Sequence, residues 1–380
     1  MNILHIASFN GNIGDNASHI GLNSIFKQIG LNTCITRLEI RHFYHNATNQ
    51  VRKYFDQDFA NYCNEFDLVI FGGGGYLDYW MTDSETGMTF DINEVVMDKI
   101  KVPFLFTSVG CIPRGSVNNE CRDKFTKFLT YTAKRSDWNI FFRNDGSLNH
   151  ISKEIDNSLA LNFREILDNG FFYLDSGMKD FALVKKEYVV MNVAYDQVIS
   201  KYTTSGLAEQ DEYYKEISKV ILRIIEDKNY HVILVPHIYS DLKSIDKLLD
   251  IIPENHRREN ISIGPNLTGL HGANINFSIY ANAHIAIANR LHANICSLSM
   301  GSKVIGLSAL TRIHELYKSL DLSSQCIEIS PGFSMHLSEK IEKLLSMNNS
   351  LYMQNIANSL TKKRVDTLEA YKNYFQDIFD

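Results

Sequence analysis

Hydrophobic positions along the chain fall into two alternating kinds of run. Short dense runs such as Leu68-Val69-Ile70-Phe71 are followed by longer stretches in which apolar residues recur at helical spacing. Between the first two dense runs, Leu22, Ile25, Phe26 and Ile29 stand at i, i+3, i+4 and i+7, which gives a helix one buried face. Continuous apolar strands alternating with amphipathic helices are the pattern of parallel α/β layers. The sequence predicts strands at Ile3–Ala7, Asp67–Phe71, Pro103–Ser108 and Trp138–Phe142 in its first half. In its second half it predicts Tyr188–Val193, His231–Val235, His284–Ala288, Val304–Leu307 and Cys326–Ile329.

The segment from Asp175 to Glu187 separates the two series, and a fresh strand begins at Tyr188. A chain of 380 residues also exceeds what a single core usually serves. The expected fold class is therefore α/β, with two Rossmann-like domains facing each other across a cleft. Residues 1–180 form the first, residues 181–350 the second. Residues 351–380 are polar with spaced apolar positions and no strand signal, so they are expected to be helical and to pack back on the first domain.

Composition narrows the function classes. With 44% hydrophobic and 22% charged residues the chain is that of an ordinary globular protein. Its net charge of −6 argues against a general nucleic-acid binder, so any anionic ligand must be held by a few local cations. Lys134-Arg135 and Lys362-Lys363-Arg364 are read as solvated helix faces. The six cysteines are scattered without a CxxC pair, which favours reduced thiols in the cytoplasm over disulfides or zinc. The start Met1-Asn2-Ile3-Leu4-His5-Ile6 lacks a basic leader, and no apolar run approaches a membrane span. The expectation is a cytoplasmic protein, at most peripheral on the inner membrane face, with no metal.

In open α/β sheets the ligand lies beyond the carboxyl ends of the strands, which singles out a few positions. Asn10-Gly11-Asn12-Ile13-Gly14-Asp15-Asn16 lies between the first strand and first helix, where a helix N-terminus favours an anion. A tight turn with Asp15 as N-cap fits the same residues. The spacing is neither G-x-G-x-x-G nor a P-loop. Gly72-Gly73-Gly74-Gly75 follows the second strand and would let backbone approach a ligand. Ser108-Val109-Gly110-Cys111-Ile112-Pro113 ends the third strand in a similar way.

Arg143 follows the fourth strand, where its planar fork suits a carboxylate or phosphate; pairing with Asp145 is the structural alternative. Ala288-Asn289-Arg290-Leu291-His292-Ala293-Asn294 is the strongest signal, a histidine beside an arginine at a strand-to-helix crossover. Arg312 stands at the next such junction. Asp56-Gln57-Asp58 has a D-x-D form but sits in a helical stretch, and His237 with Asp241 fits a turn as well as a site. Neither a G-x-S-x-G elbow nor an H-E-x-x-H pair occurs.

These motifs resemble the polysaccharide pyruvyltransferase family: Gly11-Asn12-Ile13-Gly14-Asp15, the Gly72–Gly75 run, Ser108-Val109-Gly110, Arg143-Asn144-Asp145-Gly146-Ser147 and Arg290-Leu291-His292 occur in the family's order. The resemblance implies a GT-B-like fold. It also implies transfer of pyruvate from phosphoenolpyruvate onto two hydroxyls of one sugar as a cyclic ketal, with the first domain on the acceptor side. The acceptor would be a cell-surface polysaccharide, exopolysaccharide or capsule, or its lipid-linked precursor. No cofactor is implied beyond the donor substrate.

His292 takes the family's proton-donor place and Arg143 a donor-ligand place. Arg312 stands where the family commonly has lysine, keeping the charge but changing its geometry. Arg290, Leu291, Asn12, Asp15, Gly73, Gly74 and Ser108 complete the expected substrate-binding set, Asp15 as a candidate base. Around Asp175-Ser176-Gly177 the chain lacks the Asp-Pro often seen near the family's domain junction. Two rivals share the fold: a GT-B glycosyltransferase using a nucleotide sugar, and a glycan-binding relative without activity.

Overall fold

The computed structural model describes residues 1–44, 52–113, 115–173, 183–205 and 210–379. Asp175-Ser176-Gly177 lies outside the described residues. The chain divides into two compact units: Met1–Phe9, Leu22–Asn169 and Lys363–Asp380 in the first, Asn10–Gly21 and Gly170–Lys362 in the second. The division thus falls at Asn169/Gly170, where the sequence places it at 180. Two further segments, the start of the first helix and the chain's end, each belong to the unit opposite to that of their sequence neighbours.

In the first unit the strands are β1 (Asn2–Ala7), β2 (Cys34–Glu39), β3 (Leu68–Gly72), β4 (Phe104–Val109), β5 (Trp138–Arg143) and β6 (Arg164–Ile166), in the order β2-β1-β3-β4-β5-β6. In the second they are β7 (Tyr188–Asn192), β8 (His231–Leu234), β9 (Ile261–Ile263), β10 (Ile285–Ala288), β11 (Val304–Ser308) and β12 (Cys326–Glu328), in the order β12-β11-β10-β7-β8-β9. Every pairing is parallel. Both orders are doubly wound, and each reverses direction once: between β1 and β3 in the first sheet, between β7 and β10 in the second. Each unit is thus Rossmann-like α/β, as the alternation of runs predicts.

Each strand read from the sequence is present, its limits shifted by a residue or two. The three not foreseen, β2, β6 and β9, are all edge strands. One face of a central parallel strand is covered by each helix layer, so β3, β4 and β7 are buried throughout and read as apolar runs. An edge strand keeps an exposed side: β2 reads Cys-Ile-Thr-Arg-Leu-Glu with Leu38 its one buried residue. Nothing in such a stretch separates strand from loop.

The first unit's core is aromatic, with Phe104 stacked on Trp138 at 4.5 Å and Phe90 set edge-on to Phe106 at 5.5 Å. Arg135, expected on a solvated face, instead lies over Trp138 and holds Asp137 and the Met97 and Ile100 carbonyls. The long helix Asn349–Phe379 carries the chain's end into this unit. There buried Tyr371 donates to Asn169 Oδ1 at 2.8 Å, and Thr367 Oγ1 accepts from the Leu167 amide. One helix covers 351–379, as its strand-free pattern predicts.

His5 lies on β1, 3% exposed, and its Nε2–H donates to the Gly72 carbonyl at 3.3 Å. Burial lowers its pKa from 6.5 to about 4. As pH falls through that window, the unfolded chain binds a proton before the folded one does, so stability drops with pH and levels off below about 4. The residue's share is about 3 kcal/mol. Urea unfolding across this range should show a shallower acid-side slope in His5→Gln than in wild type; identical slopes would contradict the assignment.

Candidate active site

The carboxyl ends of the first sheet carry one cluster. Gly72 (φ 140°) and Gly73 (φ 88°) adopt backbone that side chains disfavour, and a Cβ on Gly72 would collide with the Thr107 carbonyl. Gly74 packs on the Tyr76 ring. Close contact with β4 therefore constrains Gly72, the Tyr76 ring constrains Gly74, and backbone conformation constrains Gly73. Ser108 is buried with φ 52° at a register shift between β4 and β5, and its Oγ accepts from the Asn169 amide at 3.1 Å. A non-glycine residue held in that region stores strain, which is common beside functional loops.

Arg143 ends β5, 2% exposed. Its Nε donates to Asp145 Oδ2 at 2.7 Å, and Nη1 lies 3.8 Å from Asp168 Oδ2. Burial disfavours its charge, but the two carboxylates outweigh that and raise its pKa. Asp145 is fixed in turn by Ser147. A Cβ on Gly110 would collide with Arg143 Nη2, so a side chain there would displace the guanidinium from this position. The pairing with Asp145, the structural alternative for this arginine, is what the geometry displays.

The second cluster lies at the reversal between β7 and β10. Asn192, the last residue of β7, is fully buried and ties three strands together. Its Oδ1 accepts from the Arg290 amide at 3.0 Å, its Nδ2 donates to the Val235 carbonyl at 3.0 Å, and its carbonyl accepts from the Asn289 amide. Asn294 donates to the carbonyls of Ala288 and Arg290 and accepts from the Tyr317 hydroxyl at 2.7 Å. These amides satisfy the backbone of a buried turn, and so fix where Arg290-Leu291-His292 begins its helix, Leu291–Ser299.

Arg290 is 7% exposed and gripped by acids: Nε and Nη2 form a fork on Asp241, at 2.8 and 2.5 Å, and Nη2 also donates to Asp196 at 2.6 Å. Burial opposes its charge and the carboxylates more than restore it. Asp241 is wholly buried and also accepts the His237 amide at 3.0 Å. Sequence reasoning finds in Asp241 as much a turn residue as a site residue, and it misses Asp196 and Asn192. Signals for the last two are weak, since one buried Asn at a strand end is common.

His292 is 5% exposed with Nδ1 4.0 Å from Asp15 Oδ1. Both belong to the second unit because the helix Ile13–Gln28 starts there. The Ile13 amide donates to the His237 carbonyl, and Gly14 packs against the His292 ring. Asn12, not Asp15, caps this helix: its Oδ1 accepts the Gly14 amide at 2.9 Å, while its Nδ2 donates to Asp15 Oδ1. An acid in the first turn already answers the helix dipole that an anion would otherwise meet. Leu291 is buried. Arg312 is partly buried in the first turn of the helix Thr311–Ser319, just after β11.

His237 is 1% exposed. Burial, reinforced by Arg290 and His292, holds its pKa well below the usual value, so the ring is neutral. Asp56 caps the helix Gln57–Cys63, as its helical setting suggests. Among the described residues no group of three or more His, Cys, Asp or Glu is placed to hold a metal ion, and no helix is long and apolar enough to cross a membrane.

Residues 12–309 match the family model described as polysaccharide pyruvyl transferase. No curated protein matches the sequence. Among solved structures, the chain is similar to a glycosyltransferase from Rickettsia africae (13% identity, 98% of each chain covered, TM-score 0.57). It is similar also to UDP-GlcNAc 2-epimerase from Methanocaldococcus jannaschii (14% identity, 98% of this chain and all of that one, TM-score 0.55). A third likeness is WaaG, a glycosyltransferase involved in lipopolysaccharide biosynthesis (11% identity, both chains fully covered, TM-score 0.52). At these identities the likeness is one of fold, that of GT-B enzymes.

Gly14→Ala would put a methyl group 2.8 Å from His292 Cβ and Nδ1. It should cost about 1–3 kcal/mol of stability and displace the His292 imidazole resonances. Wild-type stability with unmoved resonances would contradict the packing.

Proposed function

Because the chain belongs to the polysaccharide pyruvyl transferase family, we propose that it moves the pyruvyl group of phosphoenolpyruvate onto two hydroxyls of one sugar, forming a cyclic ketal. The sugar belongs to a cell-surface polysaccharide, such as a capsule or exopolysaccharide, or to its lipid-linked precursor. The reaction runs in the cytoplasm, at the inner membrane face when the acceptor is lipid-linked. The observation that carries this reading is the place of His292: it opens a helix at the reversal of the second sheet, where ligands of such sheets bind, beside the Asp15 carboxylate.

In this reading His292 gives its proton to the methylene carbon of phosphoenolpyruvate, and the adjacent carbon becomes electrophilic. One sugar hydroxyl adds there and loses its proton, for which Asp15, 4.0 Å from His292 Nδ1, is the candidate base. The bond from that carbon to the phosphate oxygen breaks, its electron pair leaving with phosphate. The second hydroxyl adds at the same carbon, loses its proton and closes the ketal. One phosphoenolpyruvate and two hydroxyls yield one ketal and one inorganic phosphate, with no cofactor.

Within the second unit Arg290 and Arg312 are assigned to the donor's negative charges, and within the first unit Arg143 is assigned to a substrate carboxylate or phosphate. Arg143 and Arg290 act through the N–H groups their carboxylate partners leave over, so their net attraction is smaller than their formal charge. Leu291 and Asn12 are assigned to substrate binding in the second unit, and Gly73, Gly74 and Ser108 in the first. Trp80, 60% exposed in the loop after the glycine run, offers a flat face to an acceptor sugar.

The test is phosphate release from phosphoenolpyruvate against a panel of sugars, with mass spectrometry of the product. Wild type should release phosphate only with its acceptor, and folded His292→Gln should lose about 10²–10⁴-fold in turnover, the range for a general acid. Thermal stabilisation by nucleotide sugars but not by phosphoenolpyruvate would contradict the reading and favour a glycosyltransferase.

A further inference from the structure

His237 lies within the second unit's cluster but has no part in the chemistry above. Its backbone joins the two halves of that cluster: the amide donates to Asp241, which holds Arg290, and the carbonyl accepts from Ile13, beside Gly14 and the His292 ring. Its ring stands edge-on to Phe277 at 5.4 Å, and Nε2 lies 2.8 Å from the Tyr280 hydroxyl. Among the described residues Nδ1 has no hydrogen-bond partner although it is buried.

Counting donors decides which nitrogen carries the hydrogen. Nε2 is the one partner of the buried Tyr280 hydroxyl among the described residues. If Nε2–H donated to that hydroxyl, the tyrosine O–H would have no acceptor and Nδ1 no donor, two unmet groups in the interior. If the tyrosine donates to Nε2, one group is unmet, the Nδ1–H. Each buried unmet group costs about 1–3 kcal/mol, so the second arrangement prevails. Asn276, one turn before Tyr280 on the same helix face, also has neither amide atom partnered among the described residues. Polar groups left open in a packed interior call for a partner, which a bound water or a polar ligand can supply.

We propose that His237 Nδ1–H is a further ligand-binding group of this site, donating a hydrogen bond to an anionic oxygen of the pyruvyl donor. Tyr280 is its positioning residue, fixing the tautomer that makes the ring a donor. A neutral imidazole suits that contact, because an uncharged N–H can donate to an oxyanion without placing a second buried positive charge beside Arg290. The inference rests on the pyruvyl-transfer reading for the ligand's identity, and on geometry alone for the tautomer.

Calorimetry with phosphoenolpyruvate, inorganic phosphate and pyruvate, on wild type, His237→Phe and His237→Asn, tests it. Asparagine keeps an N–H near the place of Nδ1. His237→Phe should weaken phosphoenolpyruvate about ten- to a hundredfold with its melting temperature within a few degrees of wild type, and His237→Asn should recover part of the loss. Loss shared by phosphate places the contact on the phosphoryl group, loss shared by pyruvate on the carboxylate. Tyr280→Phe, which keeps His237, should lose an intermediate amount. Unchanged affinity in folded His237→Phe would overturn the proposal. Should wild type bind no phosphoenolpyruvate, the pyruvyl-transfer reading fails instead. Imidazole ¹⁵N spectra then still decide on His237: an Nδ1–H that shifts with inorganic phosphate supports its role, and an Nε2–H tautomer refutes it.

Discussion

A guanidinium buried between two carboxylates holds the second unit's site in place. Arg290 leaves water to lie against Asp241 and Asp196, and a lone charge in that position would be intolerable. The fork on Asp241 fixes the arginine's plane; Asp241 also takes the His237 amide, and His237 takes that of Ile13. Position is therefore transmitted from β8 to the start of the helix Ile13–Gln28 and from there, through Gly14, to His292. Breaking such a pair from one side strands a buried charge at a cost of about 3–5 kcal/mol. Its carboxylates thus serve geometry at the expense of free positive charge.

The parallel sheets decide where this network forms. Strand order reverses once in each sheet, and loops from the two flanking strands part there, leaving room above the carboxyl ends. In the second sheet the reversal lies between Asn192 and Ala288, paired neighbours, so the loop that follows β10 begins inside the crevice. A helix starting at Leu291 then sets its first-turn histidine, His292, against Gly14 and 4.0 Å from Asp15. In the first sheet the equivalent crevice lies between β1 and the glycine run, and Arg143 stands at the end of β5, two strands further along.

Much of this is legible in the sequence, for a physical reason. Central parallel strands are buried on both faces, so Leu68–Gly72 or Ile285–Ala288 announces itself as a dense apolar run, and the strand-end rule then points to Arg143, His292 and Arg312. Edge strands such as Ile261–Ile263 keep one side in water and lose that signature. The cations are visible but their partners are not: Asp145 stands two residues from Arg143, yet Asp168, Asp196 and Asp241 meet their arginines only through the fold. The glycine run is visible in the sequence, but the contacts that constrain two of its members, Thr107 against Gly72 and Tyr76 against Gly74, are not. The assignment of Asn10–Gly21 to the second unit also depends on tertiary contacts, since Ile13 and Gly14 meet His237 and His292 far along the chain.

What joins fold to chemistry is the claim that His292 protonates the donor's methylene carbon. Reaction in deuterium oxide, followed by mass analysis of the ketal methyl group, addresses that step alone. The account predicts one solvent deuterium in the methyl group of each ketal formed. Ketal formed with no deuterium in its methyl group would contradict it.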